Sequence, residues 1–288
     1  MLNDRDFTCT YGRLEPVSPL VRRIVAQNPG PFTFLGTGTY VVGRGRVAVI
    51  DPGPALPSHI DALLGALAGE TVTHILVTHT HSDHSPAAAG LKAATGAPTM
   101  GFGPHGARGE TGEAGADLAF APDRTMADGE AVEGAGWRLE ALHMPGHASN
   151  HLCFALPQEE ALFSGDQVMG WSTTVIAPPD GNMIDYMRSL ERLSARSDAI
   201  YWPTHGGPIR RPQAHVRELI DHRLARQSAI RKALAEGPTT PRELVARIYV
   251  GLDPRLTEAA AQSVLAHLLA LRQSGLALEE GGSWRAMR

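Results

Sequence analysis

Residues 78 to 85 read THTHSDHS and place His79, His81, Asp83 and His84 within six positions. Neutral imidazoles and a carboxylate suit zinc, with manganese or iron as the next choices. An open catalytic zinc takes about three protein ligands, so four ligand-type groups from one stretch fit two ions better than one. A polar turn that merely caps a helix accounts for Ser85 but not for three histidines. Two ions on the order of 4 Å apart lower the pKa of a water between them, yield hydroxide near neutral pH as a nucleophile, and steady both attacked and leaving oxygens. The chemistry is hydrolysis of an ester-like or phosphodiester bond.

Such a cluster needs rigid elements on either side. VTHILVT reads as a buried strand, Ser85 and Pro86 as the N-cap and first residue of a helix, and Gly96 as its stop. His79 and His81, two apart in extended chain, point the same way, while Asp83 and His84 curl toward the helix start. Around this turn, TYVVG, RVAVI, WRLEAL, HLCFAL, ALFSG and AIYWP read as further strands. PSHIDALLGALAG, PAAAGLKAATG and MIDYMRSLERLSA read as helices, which predicts layered α/β structure. The Gly- and Ala-rich segment 101–123 reads as a long surface loop.

Past Pro212 the texture changes. Val216, Leu219, Ile220, Leu224, Ile230 and Leu234 recur at helical spacing, two shorter helices follow, and the tail reads as a hairpin turning at Gly281 and Gly282. Three helices and a hairpin outline a winged helix. The expected division is a catalytic domain over 1–211 and a winged-helix-like domain over 212–288.

The net charge of −4 and pI near 6.3 offer no general basic field for nucleic acid. Residues 212–288 hold 11 Lys and Arg against 8 Asp and Glu, but the third helix carries only Arg272, a weak footprint for groove reading. This tail is expected to pack or to cover substrate. Arg108, Arg210 and Arg211 are the other candidates for contact with a polyanion. Cys9 and Cys153 are the only cysteines, and the first residues lack the apolar core of a signal peptide, so a reduced cytoplasmic enzyme with two inert thiols is expected. No run of 18 apolar residues predicts a membrane span.

HTHSDH matches the HxHxDH signature of the metallo-β-lactamase superfamily, and MPGHASNH, FSGDQV and WPTHGGP follow in that family's order with His147, Asp166 and His205. The strand RVAVI ending at Asp51 also resembles the family's pattern, and the resemblance covers roughly residues 20 to 212. It implies a four-layer αββα sandwich. It further implies one ion on His79, His81 and His147, a second on Asp83, His84 and His205, and Asp166 bridging both, with Asp83 and Asp166 the catalytic carboxylates. This variant is shared by glyoxalase II and RNase Z; the secreted β-lactamase branches lack the bridging carboxylate. Asp51 and His151 are expected to support the ligands, and Trp171, Ser172 and Thr173 to lie on the substrate rim. His59, His74, His105, His143, His215, His222 and His267 match no motif and read as surface or packing residues.

GTGTYVVG, FSGDQVMGWSTTV and the tail together resemble bacterial LACTB2-like proteins. That implies two divalent ions, zinc first, and phosphodiester hydrolysis of single-stranded RNA. Three other readings stay open: a glyoxalase II-type hydrolase of a small thioester, a mononuclear iron persulfide dioxygenase, and a non-enzymatic nucleic-acid-binding regulator. A homodimer is the common outcome for such folds.

Overall fold

A computed structural model describes residues 5–106 and 115–287. A seven-stranded sheet is built in chain order from β1 (Glu15–Pro16), β2 (Val21–Val25), β3 (Gly38–Val42), β4 (Arg46–Ile50), β5 (Thr71–Leu76), β6 (Thr99–Gly101) and β7 (Arg124–Thr125). Helix α1 (Pro57–Ala66) links β4 to β5 and α2 (Ala87–Thr95) links β5 to β6, so these strands run parallel. The second sheet holds β8 (Ala131–Gly134), β9 (Trp137–His143), β10 (Leu152–Leu156), β11 (Ala161–Gly165) and β12 (Ile200–Pro203) in the order β12-β11-β10-β9-β8, with α3 (Met183–Ser194) crossing from β11 to β12.

Strand faces explain the layering. On β3 and β4, Tyr40, Val42, Ala48 and Ile50 meet Leu139, Phe154 and Phe163 of the other sheet. Their alternates Val41, Val47 and Val49 pack on Leu63 of α1 and Leu91 of α2. Leu162 and Tyr201 turn outward against Tyr186 and Leu190 of α3. Because both faces are covered, the strands are continuously apolar rather than alternating. The result is helices, sheet, sheet, helices: the αββα sandwich.

Beyond it, α4 (Pro212–Ala235), α5 (Pro241–Ile248) and α6 (Thr257–Gln273) precede the hairpin β13 (Ala277–Glu280) and β14 (Ser283–Ala286). Thr240 and Glu243 form a reciprocal capping box that starts α5. Helix α4 spans both bodies: Val216 and Leu219 pack on the sandwich, whereas Ile230 and Leu234 pack with Leu244, Leu268 and Trp284. Its buried stripe differs from the expected one at one turn. Leu224 is 52% exposed, and Arg223, four residues after Leu219, points inward with 2% exposure. No helix among the described residues is long and apolar enough to cross a membrane.

His267 on α6 shows what burial does to an unpaired imidazole. It is 1% exposed, and neither ring nitrogen has a hydrogen-bond partner among the described residues. Burial, aided by Arg223 and His222, pushes its pKa down to about 3. The unfolded chain binds a proton near pH 6.5, where the folded chain does not. Stability from the neutral ring is therefore complete above pH 6.5 and declines as pH falls toward 3, by about 1.4 kcal/mol per pH unit for this group. His267→Leu is expected to be less acid-sensitive, losing about 2 kcal/mol less than the wild type between pH 6.5 and 5. Denaturant titrations at the two pH values check this, and parallel losses in both proteins would contradict it.

Candidate metal centre

The ends of three strands and one loop meet at one edge of the sandwich. His79, His81, Asp83 and His84 follow β5, Asp166 follows β11, His205 follows β12, and His147 lies between β9 and β10. His79 Nε2 and His147 Nε2 each lie 2.9 Å from His81 Nδ1. Asp83 Oδ2 lies 3.4 Å from His84 Nε2 and 3.2 Å from His205 Nε2. Asp166 Oδ2 stands between the groups, 3.8 Å from His147 Nε2, 3.6 Å from His84 Nε2 and 3.3 Å from His205 Nε2. Donors from His79, His81 and His147, and separately from Asp83, His84 and His205, lie within 4.8 Å of one another.

The outer ring nitrogens fix which lone pairs face inward. His147 Nδ1 donates to the Val175 carbonyl (2.8 Å), His205 Nδ1 to the Gly36 carbonyl (3.2 Å), and His84 Nδ1 to the Asp51 carboxylate (3.0 Å). Thr78 Oγ1 donates to Asp51 (2.8 Å) and so accepts from His79 Nδ1 at 3.0 Å. In each ring Nε2 is the nitrogen left facing its neighbours, and it carries the lone pair in the neutral form that a metal ligand needs. Among the described residues, the buried His84 Nε2 and Asp166 Oδ1 have no hydrogen-bond partner. This donor set fits divalent cations.

Electrostatics divide the cluster. Burial pushes His79 well below the ordinary imidazole range, with His84 and His81 adding to it, and burial plus His81 brings His147 down to about 4. Burial also opposes charge on His84 and His205, but the facing carboxylates Asp83 and Asp166 outweigh it. His84 is held well above its usual value and His205 is raised to about 9. Conversely, burial disfavours charge on Asp83 and Asp166, yet His84 and His205 hold both carboxyls well below the usual range.

The two supporting residues occupy defined places. Asp51, at φ 50°, receives Thr78 N–H (2.7 Å), Thr78 Oγ1, His84 Nδ1 and Thr204 Oγ1 (3.3 Å). His151 stacks on His79 with ring centroids 4.9 Å apart, and its Nε2 accepts the Asp166 N–H at 3.2 Å. Gly165 makes that possible: at φ 52° an added Cβ would stand 2.6 Å from His151 Nε2. Sequence reasoning overlooked Thr78 and Thr204, although a Thr-His pair occurs at both 78–79 and 204–205, and both threonines bond Asp51.

A cavity of about 710 Å³ opens beside the cluster, with Asp83, Asp166 and His205 at one end and Tyr249, Leu252 and Ser263 of the C-terminal region on another wall. Trp171, stacked on Phe34 at 5.0 Å, lines it together with Ser172 and Thr173. The C-terminal helices thus cover the cleft. Arg210 and Arg211 are exposed and do not line the cavity; Arg108 lies outside the described residues, as does part of the expected surface loop. His59, His215 and His267 are buried, and His105 bonds Thr80 Oγ1 at 2.9 Å. The N-cap reading of Ser85 is corrected: its hydroxyl donates to Asp117 (2.6 Å), and α2 starts at Ala87 with no side-chain cap.

A two-sheet sandwich with convergent His and Asp donors at one edge, closed by a helical flank, defines a class of hydrolytic enzyme with a candidate divalent-metal site. Residues 33–205 match the Metallo-beta-lactamase superfamily, to which the chain belongs, and residues 240–284 match the Beta-lactamase associated winged helix domain. An "Atrochrysone carboxyl ACP thioesterase" of Aspergillus chevalieri is 31% identical over 286 residues, 93% of this chain and 87% of that protein. Among solved structures, a beta-lactamase domain protein from Burkholderia ambifaria shares the fold at TM-score 0.83 and 22% identity, covering 98% of this chain and 96% of that one. A metallo-beta-lactamase family protein from Thermus thermophilus superposes at TM-score 0.77 with 26% identity, covering 94% of this chain and 100% of that one.

Proposed function

We propose that the chain is a two-metal thioester hydrolase acting on an apolar acyl group, with a carrier-protein thioester as the substrate class. His79, His81 and His147 would hold one ion, Asp83, His84 and His205 the other, with Asp166 placed to serve either. The observation that carries the reading is the cavity wall. Beside the polar cluster, Phe32, Met169, Trp171, Leu252 and Leu256 supply apolar surface, and Arg223 is the one Arg or Lys among the described residues that line it. Such a wall suits an acyl chain presenting one carbonyl. A polyanionic strand asks for a basic track, which makes single-stranded RNA the poorer substrate. The relative named as an acyl-carrier-protein thioesterase supports the same choice.

Two divalent ions, zinc first for this donor set, supply Lewis acidity when bound, activating water and polarising the acyl carbonyl. The protein's own groups do the rest. Asp51 and the carbonyls of Gly36 and Val175 hold the imidazoles in one tautomer. His151 and Thr174, whose hydroxyl donates to the Asp166 carbonyl (2.7 Å), fix the backbone of the central carboxylate. Trp171 and the C-terminal wall exclude bulk water from the acyl group.

Metal-replete protein assayed on acyl-carrier-protein and acyl-N-acetylcysteamine thioesters, S-lactoylglutathione and a short single-stranded RNA tests this. Turnover of the acyl thioesters with the RNA left intact is expected. RNA cleavage without thioester turnover would overturn it.

A further inference from the structure

Among the described residues, Arg223 is a buried cation without a counter-anion. Its side chain leaves the middle of α4, is 2% exposed, and reaches the cavity wall. One Nη2 hydrogen goes to the Thr174 carbonyl, and the guanidinium carbon lies 5.2 Å from the Tyr186 ring centroid. Its Nε is buried without a hydrogen-bond partner, and no carboxylate among the described residues forms an ion pair with it. A charge removed from water needs pairing or several strong hydrogen bonds. Arg23, 5% exposed, shares the partnerless buried Nε but is better satisfied at its two Nη groups, which take the Gly206 and Thr204 carbonyls at 2.7 and 3.0 Å, and Phe7 and Tyr40 flank it.

The surroundings supply no compensation. Arg226 adds a second cation on the same side, and His222 and His267, held neutral by burial and by these arginines, bring no anion. The acidic residues on the cavity are engaged elsewhere: Glu258 pairs with Arg242 at 2.9 Å, and Asp83 and Asp166 face His84 and His205. Arg223 is also close to the reacting end. Thr174 accepts from it through its carbonyl while donating through its hydroxyl to the Asp166 backbone.

We infer that Arg223 receives a carboxylate carried by the substrate, so that the enzyme selects acidic thioesters. The inference rests on the thioester reading for its substrate class. A planar guanidinium with a donor still free matches a carboxylate, and a charge-assisted pair at a buried guanidinium is stronger than a neutral one. The carboxylate belongs either to the acyl group or to the thiol half, and matched substrates separate these sources. Glutaryl- and pentanoyl-N-acetylcysteamine differ in an acyl-side charge; pentanoyl thioesters of 3-mercaptopropionate and of its methyl ester differ in a thiol-side charge.

In the wild type, the charged member of one pair is expected to have a kcat/KM at least about tenfold higher, mainly through KM. That ratio is expected to collapse toward one in Arg223→Gln and to recover in part in Arg223→Lys, with thermal midpoints reporting that both variants fold. Calorimetry with glutarate and 3-mercaptopropionate gives a readout independent of turnover: one of them is expected to bind at least about tenfold more weakly to Arg223→Gln. If no thioester is turned over but this binding difference holds, the reaction assignment falls and the anion site stands. Equal rates within both pairs in the wild type, or a preference and an affinity unchanged in Arg223→Gln, would overturn the site while leaving thioester hydrolysis intact.

Discussion

Asp166→Ala is expected to lower kcat/KM on a thioester by about a thousandfold or more, on the order of 4 kcal/mol of lost transition-state stabilisation, with the fold intact. Asp166 Oδ2 lies within 3.8 Å of donors from both ligand groups, and Oδ1 is buried without a partner among the described residues. Removing it takes away the one anion common to the two halves, so metal content should fall toward one ion per chain or below. Asp166→Asn keeps the shape and removes the charge, and should share most of the loss. Steady-state kinetics and metal analysis on the same samples check both, and turnover within tenfold of the wild type would contradict the bridging role.

The second large effect is expected at a residue that binds no metal. Asp51 is 1% exposed and gathers four donors from the loops after β5 and β12. Asp51→Ala strands these donors in the interior. At about 1–3 kcal/mol for each group that stays unpaired, with some relieved by rearrangement, a loss on the order of 3–5 kcal/mol is expected. Without its anchor His84 is free to rotate, and through Thr78 so is His79, so metal affinity should drop about 10- to 100-fold. Asp51→Asn retains one acceptor oxygen and tolerates the positive φ, and should be milder on both counts. Denaturant titration of metal-free protein reads the first effect and competition with a chelator the second; unchanged metal affinity in Asp51→Ala would contradict the anchoring role.

Four members of the site were legible because they crowd into one strand-to-helix turn, where local spacing is enough. His147, Asp166 and His205 come from separate loops, and only the order of their motifs pointed to them. The strands with uniform apolar runs were readable for the same local reason. β2 was not: VRRIV carries two arginines, yet Arg23 is satisfied by distant carbonyls and Arg22 pairs with Glu70 at 2.6 Å. Neither partner is visible in sequence. β6 and β7 are three and two residues long, too short for any pattern to show. On α4 periodicity was a correct guide to the face but not to the residue, since Leu224 is apolar and exposed while Arg223 occupies the inward position seven after Val216. The cavity was out of reach because its walls join residues near 32, 171 and 249–263. The ribonuclease reading leaned on resemblance; the apolar walls favour a thioester.

The central claim, two ions acting on a thioester, is tested most directly by titrating chelator-stripped protein with zinc and following acyl-N-acetylcysteamine hydrolysis at each step. Activity rising to a plateau at two equivalents per chain, with Asp166→Ala flat throughout, is the predicted result. Saturation at one equivalent, or protein purified with a single iron and no hydrolysis at any zinc level, would contradict it.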